Sequence, residues 1–396
     1  MNVDFNTSIE KLKTQFEYHY GNTRETAVYL SPASLILLGD HTHYNDGILI
    51  STAIDRYSII VTRKRNDGQI HILFNNHDIS FELMNNHQAF KESHWLLLSI
   101  QKVICYFQEN KKITSGFELG ISFGIPKCIG LGAYASIQIG VIKALNDMFG
   151  WKMSDEEMVA ISRKIELDLI GKISNLAHHF TAALSKKENL LYIDLRTNGY
   201  KNLTFPNDDY RIVICDTGLE IENPEKICNE RIEECEVGVK GLRLYIWGIK
   251  NLRDVGQDFL QKHIKMIPQR VFKRCEYNVL ERIRVENSLK HLKGKDYSSF
   301  GKQIFNSHTS LAYEYQLSSS ELDFLIDKAR QITGVLGAKM ISCSPLRSTL
   351  NIVSKNHLEE FLEIINKEYS GQFEKELNIH VLNFSAGIKS TARSMI

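Results

Sequence analysis

The sequence predicts a mixed α/β protein with enough chain for two domains or for one large bilobal domain. Apolar residues recur at helical spacing over residues 5–20 and 270–292. Two apolar segments rich in β-formers flank a polar loop between residues 28 and 55. A length of 396 residues leaves ample material for a buried core.

The charge balance is nearly neutral, with 48 basic and 47 acidic residues and a net charge of +1. It argues against a nucleic-acid-binding or anionic-membrane surface over the protein as a whole, and it leaves local patches open. The 7 cysteines form no C-x-x-C pair, which predicts reduced thiols. Neither an apolar signal core nor a membrane-length apolar run is present. We therefore expect a cytoplasmic protein without a membrane or nucleic-acid partner.

The N-terminal elements follow from local patterns. The spacing predicts a helix over residues 5–20 that ends at Gly21. Residues 57–62 and 71–74 are β-rich, and a further helix is predicted around residues 95–109. In the sequence, the first helix precedes the polar loop, and the other predicted elements follow it.

The polar loop lies between Gly39 and Gly47. Its hydrogen-bonding side chains are Asp40, His41, Thr42, His43, Tyr44, Asn45 and Asp46. Such a density could recognise a polyhydroxylated ligand such as a sugar, and a solvated turn has the same composition. Composition alone leaves both interpretations open.

This stretch resembles the galactokinase signature of the GHMP small-molecule kinase superfamily. It keeps, in order and without gaps, Pro32, Gly39, His41, Thr42, Tyr44, Asn45, Gly47, Ala53, Ile54 and Asp55. Ser34 replaces the family's Arg, Asp40 replaces its Glu, and His43 replaces its Asp. The resemblance implies a catalytic position at Ser34. It also implies sugar-binding roles for Asp40, His41, His43, Tyr44 and Asn45.

Residues 117–150 predict a strand, a glycine-containing turn, and a helix from Ala133 to Phe149 that stops at Gly150. A glycine turn before a helix N-terminus can bind an anion through backbone N–H groups and the helix dipole. Many strand–turn–helix units use glycine in this way without binding a ligand. The pattern alone is therefore a weak indication of a phosphate site.

The same stretch resembles the superfamily's nucleotide loop, counted from Pro126. The resemblance implies nucleotide-binding positions at Gly130, Gly132, Ala133, Tyr134 and Ser136. Gly132, Ala133 and Tyr134 replace the family's serine triplet, and Cys128 replaces a glycine. Mg²⁺ prefers hard oxygen ligands, which glycine and alanine side chains do not offer, so we expect weakened binding of Mg-ATP. Mg-ATP is the expected cofactor if the protein is active, and no separate metal site is predicted.

Residues 166–197 resemble the segment that carries the family's catalytic Asp. That Asp falls on His178, and the neighbouring Gln falls on His179. An imidazole, with an ordinary pKa of about 6.5, could act as a base. Alternatively, His178 lines a cleft in which catalysis was lost. Adjacent residues on a helix point in different directions, so a paired metal site is not expected.

The C-terminal half resembles the family over residues 296–330, which predicts the family's fold there. Cys228 stands where galactokinases have a sugar-contacting Tyr. Residues 334–350 correspond to the family's third loop, but the five glycines that follow Met340 in the family are gone. Ser342, Cys343, Ser344, Leu346 and Arg347 stand in their places, and Pro345 replaces the family's Phe. We expect Arg347 in this loop to lie in solvent, and the alternative is that it supplies a new anion contact.

The resemblance implies an α/β (α+β) fold in two lobes, about residues 1–195 and 196–396, with the active-site cleft between them. The signature loop at 28–55 and the nucleotide-type loop at 122–150 both fall in the first lobe. The substitutions favour a catalytically dead or strongly impaired galactokinase-like protein that retains a sugar-type cleft, as a sugar sensor or regulator. The expected partner is a galactose-like monosaccharide.

Two alternatives remain open. The first is an active ATP-dependent galactokinase or related sugar-1-kinase in which His178 replaces the catalytic Asp. The second is a different cleft chemistry or a purely protein-binding role. The sequence contains no positive motif for the second alternative. It stays open because fold alone does not determine function.

Overall fold

The computed structural model describes residues 5–21, 26–74, 77–82, 95–126, 130–342 and 346–391. Its helices are α1 Phe5–Tyr20, α2 Trp95–Glu109, α3 Ala133–Phe149, α4 Asp155–Ile170, α5 Leu176–Leu184, α6 Pro224–Leu242, α7 Gln257–Lys262, α8 Gln269–Lys293, α9 Tyr297–Tyr313, α10 Ser320–Gln331 and α11 Leu358–Phe373. Its strands are β1 Ala27–Leu38, β2 Ile48–Lys64, β3 Gln69–Phe74, β4 His77–Glu82, β5 Phe117–Phe123, β6 Asn189–Asp194, β7 Gly199–Thr204, β8 Tyr210–Asp216, β9 Val335–Met340, β10 Ser348–Ser354, β11 Asn378–Leu382, β12 Phe384–Ser385 and β13 Lys389–Thr391.

The helices predicted from periodicity are present. α1 covers the predicted range, and the Gly21 N–H donates to the Glu17 carbonyl at 2.8 Å. α3 ends at Gly150, whose φ of 67° suits glycine and whose N–H donates to Asn146. α8 contains the predicted helix over residues 270–292. These predictions are confirmed because each depends on local spacing and on a local stop signal.

The larger sheet is built mainly from the N-terminal half. In the described residues it has 9 strands, with the order β13-β1-β2-β5-β3-β4, while β12 and β6 pair with β2 and β7 pairs with β6. β3 and β5 are parallel, and the other neighbours are antiparallel. The C-terminal strands β12 and β13 therefore return to the first sheet. The smaller sheet has 4 antiparallel strands in the order β11-β8-β10-β9.

Alternation along β1 explains how the layers assemble. Ile36 packs into a core with α2 to α5 on one face of the larger sheet. Its neighbours Leu35 and Leu37 point to the other face, where they meet Ile212 and Ile214 of the smaller sheet. α10 and α11 cover the outer face of the smaller sheet. The two sheets thus share one apolar core, as expected for a two-lobed α/β (α+β) fold.

The exact lobe boundary at residue 195 stays a prediction, since strands from the end of the chain join the first sheet. No helix in the described ranges has both the length and the apolar character needed to cross a bilayer. The predicted changes at Cys128, Cys343, Ser344 and Pro345 lie outside the described residues.

Candidate functional site

A cleft of about 400 Å³ lies where the signature loop, the turn before α3, and helices α4, α5 and α6 meet. Its polar and titratable lining residues are His41, His43, Tyr44, Tyr134, Glu166, Asn175, His178, Glu225 and Cys228. The cleft therefore brings together segments that are far apart in the sequence. It is large enough for a small polar ligand.

Ser34 and His178 meet beside this cleft. Ser34, on β1, is 1% exposed, and its Oγ lies 2.8 Å from Nδ1 of His178 on α5. Burial lowers the pKa of His178 to about 4, against an opposing effect of Glu166. The imidazole is therefore uncharged at neutral pH. The positions where the resemblance expects an Arg and an Asp thus hold one neutral hydrogen-bonded pair.

Gly132 lies against this pair. A Cβ added at Gly132 would come within 2.5 Å of Ser34 Oγ and 2.7 Å of His178 Nδ1. The glycine has φ 64° and precedes α3 without a side-chain cap. Its conformation and its missing side chain therefore bring the start of α3 into contact with the pair.

The signature loop contributes His41, His43 and Tyr44 to the cleft. Nε2 of His41 lies 2.9 Å from the Ser342 carbonyl, and the Tyr44 hydroxyl contacts both His41 Nδ1, at 3.3 Å, and the Tyr315 hydroxyl. Burial lowers the pKa of His41 to about 4. The loop therefore presents neutral donors and acceptors that are held by other polar groups.

His43 differs from its neighbours in its hydrogen bonding. Both ring nitrogens are buried, and neither forms a hydrogen bond of normal geometry within the described residues. Burial and the nearby His41 and His178 lower the pKa of His43 to about 3, while contact with the Lys172 backbone opposes that shift. The ring is therefore neutral, with one nitrogen able to donate and the other able to accept a hydrogen bond.

Asp40 and Asn45 do not line the cleft in the described structure, although the sequence places them with the sugar-binding residues. The Asp40 carboxylate forms a buried ion pair with Lys339 on β9. Asn45 Nδ2 donates to Asn278 Oδ1 on α8 at 3.2 Å. Both side chains connect the signature loop to the C-terminal half, and their sugar-binding roles stay predictions.

Backbone groups of the signature loop also form hydrogen bonds with side chains of α8. The Gly39 N–H donates to Glu281 Oε1 at 2.8 Å, and the Tyr277 hydroxyl donates to the Asp40 carbonyl at 2.9 Å. Glu281 is fully buried and also binds Arg284 Nε at 2.7 Å. These contacts fix the loop at the wall of the cleft.

The nucleotide-type turn borders the same cleft through Gly130, Gly132, Ala133 and Tyr134. The ring of Tyr134 packs against Trp95, with 4.6 Å between centroids. The first N–H groups of α3 have no side-chain cap, so an anion could bind there. This part of the cleft combines an uncapped helix start with an aromatic wall, and its nucleotide-binding role stays a prediction.

Ser136 is placed differently from the other predicted nucleotide-binding residues. It is fully buried, its hydroxyl donates to the Ser31 carbonyl at 2.8 Å, and it lies 2.9 Å from Ser58 Oγ. It does not line the cleft within the described residues. Its hydroxyl joins α3 to β1 and β2.

Sequence reasoning missed three polar residues of the cleft. Asn175 caps α5 by accepting from Ala177 N–H at 3.0 Å, and its buried Nδ2 has no hydrogen-bond partner in the described structure. Glu166 is 5% exposed, and its Oε2 lies 2.8 Å from Nε2 of His179. Glu225 is exposed in the first turn of α6. An Asn directly before an apolar helix was the available signal for Asn175.

Arg347 is not in solvent, so that expectation was wrong. Its guanidinium forms a two-point contact with Asp216, at 2.9 Å from Nε to Oδ1 and 3.0 Å from Nη2 to Oδ2. Its side chain is 23% exposed. A buried carboxylate at the end of β8 held the arginine in place, and nothing local in the sequence indicated that partner.

Comparisons with known proteins agree with this arrangement. Residues 99–186 match the family described as GHMP kinases N terminal domain, and residues 14–64 match the galactokinase galactose-binding signature. The chain is 27% identical to a galactokinase of Staphylococcus carnosus, over 96% of this chain and 99% of the relative. It is 28% identical to a galactokinase of Clostridium acetobutylicum, over 96% and 97% respectively.

Solved structures give the same result. The galactokinase of Lactococcus lactis, solved with galactose, superposes with a TM-score of 0.89 at 25% identity, over 96% of this chain and 99% of that one. A mevalonate kinase shares the fold, with a TM-score of 0.64 at 20% identity over 91% of this chain and 99% of that one. The chain thus has the fold of the GHMP kinases and is similar to galactokinases over nearly its whole length.

Proposed function

We propose that this galactokinase-like protein binds a monosaccharide of the galactose type in its cleft and is strongly impaired in phosphoryl transfer, so that it serves as a sugar sensor or regulator. The observation that carries the proposal is the 2.8 Å contact between Ser34 Oγ and His178 Nδ1 beside the cleft. Two neutral side chains occupy the positions where the resemblance gives a cation and a carboxylate.

The chemistry of phosphoryl transfer supports the impairment. Charge develops on the transferred group and is stabilised by cationic groups, while a carboxylate orients or deprotonates the attacking hydroxyl. Ser34 cannot supply a positive charge, and Nδ1 of His178 is already engaged by the serine. The loss of one proton-transfer group typically costs about 10²–10⁴-fold in rate. The two changes together predict a very slow kinase.

Sugar binding rests on different residues. His41, His43 and Tyr44 line the cleft, and the His43 nitrogens and Asn175 Nδ2 are buried without a normal hydrogen bond in the described residues. A buried polar group without a partner is costly, so a ligand hydroxyl that pairs with it gains that free energy. Cys228 leaves this wall without a hydroxyl, which makes the galactose affinity weaker than in relatives that have a Tyr there.

The family implies ATP and Mg²⁺ as cofactors. In the described ranges no group of three His, Cys, Asp or Glu side chains is arranged to hold a metal ion. Glu166 offers the most buried carboxylate in the cleft, and it already contacts His179. Mg²⁺ would therefore depend on the phosphate oxygens and water for most of its ligands, which fits a weak Mg-ATP site better than a tight one.

A second candidate is an active sugar kinase in which His178 takes the proton from the sugar hydroxyl. The position of His178 beside the cleft, at the place that the resemblance gives to the catalytic Asp, favours it. The imidazole is neutral at pH 7 and can accept a proton, but a pKa of about 4 makes it a weak base. If Nδ1 donates to Ser34, Nε2 is the nitrogen that would accept the proton; if Nδ1 accepts from Ser34, the proton would have to pass through the serine hydroxyl.

Calorimetric titration with galactose, followed by an ADP-release assay with Mg-ATP and galactose, tests the proposal. Galactose binding with ADP release far below that of the Staphylococcus carnosus galactokinase, assayed in parallel, is the expected result. Release at a similar rate would refute the impairment. If His178→Ala then abolished that release, the second candidate would hold. Absence of galactose binding by folded protein would refute the sugar-binding part.

A further inference from the structure

One stretch of the surface concentrates exposed apolar side chains. Of the 10 large hydrophobic residues that are exposed in the described structure, six lie within residues 237–266. They are Val237, Leu244, Tyr245, Trp247, Ile264 and Met266. Trp247 is fully exposed, and Leu244 is 81% exposed. Clusters of this kind on a folded protein mark an interaction surface.

Val237 lies on the last part of α6, and the other five residues come from two adjacent turns. The ring of Tyr245, in the turn after α6, lies 5.0 Å from that of His263, which directly precedes Ile264. A Cβ added at Gly241 would come within 2.6 Å of Ile267 Cγ2, so the end of α6 packs against the second turn. We call this surface the 237–266 patch, comprising the six apolar residues above with Lys240, Lys250, Lys262 and Lys265.

The base of the patch is well packed. Leu242, Ile249, Leu260 and Ile267 lie in one buried core beneath it. The guanidinium of Arg243 donates to the Ile249 carbonyl at 2.6 Å and to the Lys250 carbonyl at 2.8 Å, which fixes the turn. The backbone that carries the exposed side chains is therefore well packed, and their exposure does not result from loose packing.

The charge of this stretch departs from that of the chain. Residues 237–266 contain six Lys or Arg and two Asp, whereas the whole chain has a net charge of +1. Lys240, Lys250, Lys262 and Lys265 are exposed and form no ion pair in the described structure. Asp254 pairs with Arg196 at 2.8 Å, and Arg253 pairs with Asp194 at 3.0 Å, so these two charges of the stretch are both neutralised. The patch is therefore both apolar and locally basic.

We propose that the 237–266 patch binds a membrane surface that displays anionic lipid headgroups. Tyr and Trp are enriched at the boundary between water and lipid, and clusters of lysines bind anionic leaflets. Interfaces between proteins are instead depleted in lysine, which makes a protein partner the less suitable occupant. The near-zero net charge of the chain argued against a membrane-binding surface over the protein as a whole, but it did not argue against a local basic patch. The proposal does not depend on what the cleft binds or catalyses.

Vesicle flotation with the full chain tests the proposal. Binding to vesicles of phosphatidylcholine with phosphatidylserine, and not to pure phosphatidylcholine, is expected, with loss of binding at high salt. Trp247 is one of 3 tryptophans, and it is the fully exposed one. Its fluorescence should shift to the blue on binding. The Trp247→Ser variant should lose that shift and bind more weakly, whereas Tyr313→Ser, at an aromatic residue 69% exposed outside the patch, should bind normally.

Lysine variants show whether vesicle binding depends on the lysines of this patch or on exposed lysines anywhere on the protein. Lys262→Gln with Lys265→Gln should weaken vesicle binding about 25-fold, since each lysine near an anionic surface contributes roughly fivefold. The matched pair Lys186→Gln with Lys187→Gln, exposed before β6, should have no effect. Equal loss in both pairs, equal binding to neutral vesicles, or no binding at low salt would each overturn the proposal. No vesicle binding together with patch-dependent binding of an acidic amphipathic peptide would assign the surface to a protein partner instead.

Discussion

The hydroxyl of Ser34 lies 2.8 Å from Nδ1 of His178, and 144 positions of sequence separate the two residues. Both side chains are buried, at 1% and 7% exposure. Gly132 touches both, so the pair lies where the β1 strand, the nucleotide-type turn and α5 converge. A single neutral hydrogen bond therefore links β1 to α5, and the nucleotide-type turn packs against it.

The first prediction concerns the strength of this pair. Ser34→Ala and His178→Leu should each destabilise the fold, and the double variant should be more stable than the sum predicts by about 1 kcal/mol, because each single change leaves the other polar group buried without its partner. Urea unfolding of the four proteins measures this coupling. Ser370→Ala combined with His178→Leu serves as the control, since the Ser370 hydroxyl makes an exposed contact on α11. Additive losses at Ser34 and His178 would show that the contact contributes nothing.

The second prediction is a loss of stability in acid. In the folded protein the pKa of His178 is about 4, whereas an unfolded histidine takes up its proton near pH 6.5. Its contribution is fully present above pH 6.5 and is lost as the pH falls toward 4. The free energy of unfolding should drop by about 2 kcal/mol per such residue between about pH 7 and about pH 5.

Unfolding curves of His178→Asn across that pH range isolate this contribution. The variant should show a shallower loss than the parent protein, whereas the exposed His19→Asn control should follow the parent. His41 has a similarly lowered pKa, about 4, so some of the slope will remain in either variant. If His178→Asn left the pH dependence of the unfolding free energy unchanged, the pKa of His178 would not differ between the folded and unfolded states.

The third prediction concerns the buried pair of Asp40 and Lys339. Lys339→Met should cost about 3–5 kcal/mol, because it leaves a buried carboxylate unpaired. Adding Asp40→Asn should recover much of that loss. The partly exposed pair of Lys143 and Asp147 provides the contrast, and Lys143→Met should cost about 0.5 kcal/mol or less.

Thermal or chemical unfolding of these variants gives the comparison, and galactose titration of the folded Asp40→Asn protein adds a second readout. A loss of galactose affinity in folded Asp40→Asn would support the sugar-binding role that the sequence predicts. A double variant as unstable as the sum of the single ones would contradict the ion-pair interpretation.

Local signals made much of the fold predictable. α1 and α3 follow from apolar spacing that ends at a glycine, and both signals lie within the element itself. The resemblance extends over both halves, which is why the two-lobed fold could be predicted without any long-range reasoning. His41 and His43 line the cleft, although their roles as sugar-binding residues stay predictions.

Contacts between distant residues were not predictable in the same way. Lys339 pairs with Asp40 across 299 positions, and no local pattern at either residue indicates the other. Ser136 occupies a loop position that the resemblance assigns to the nucleotide, yet one turn of α3 carries its hydroxyl into the core beside Ser31. Side-chain direction on a helix, rather than residue type, decided that outcome.

The last prediction uses two glycines with nearly the same backbone. Gly132 has φ 64° and Gly150 has φ 67°, so an alanine at either position should cost about 1–2 kcal/mol for the left-handed conformation. A Cβ at Gly150 meets nothing within 4 Å, whereas one at Gly132 would come within 2.5 Å of Ser34 Oγ. Gly132→Ala should therefore cost at least about 1 kcal/mol more in unfolding free energy than Gly150→Ala.

A second-site change shows whether that difference comes from the close approach to the pair. Ser34→Ala removes the oxygen that the new Cβ would meet first, so adding it to Gly132→Ala should return part of the lost stability, although it also removes the bond to His178. Adding Ser34→Ala to Gly150→Ala should lower stability further. If both glycine variants lost the same free energy and neither responded to Ser34→Ala, the turn before α3 would have room to move. In that case the backbone at Gly132 would not set the position of Ser34 and His178.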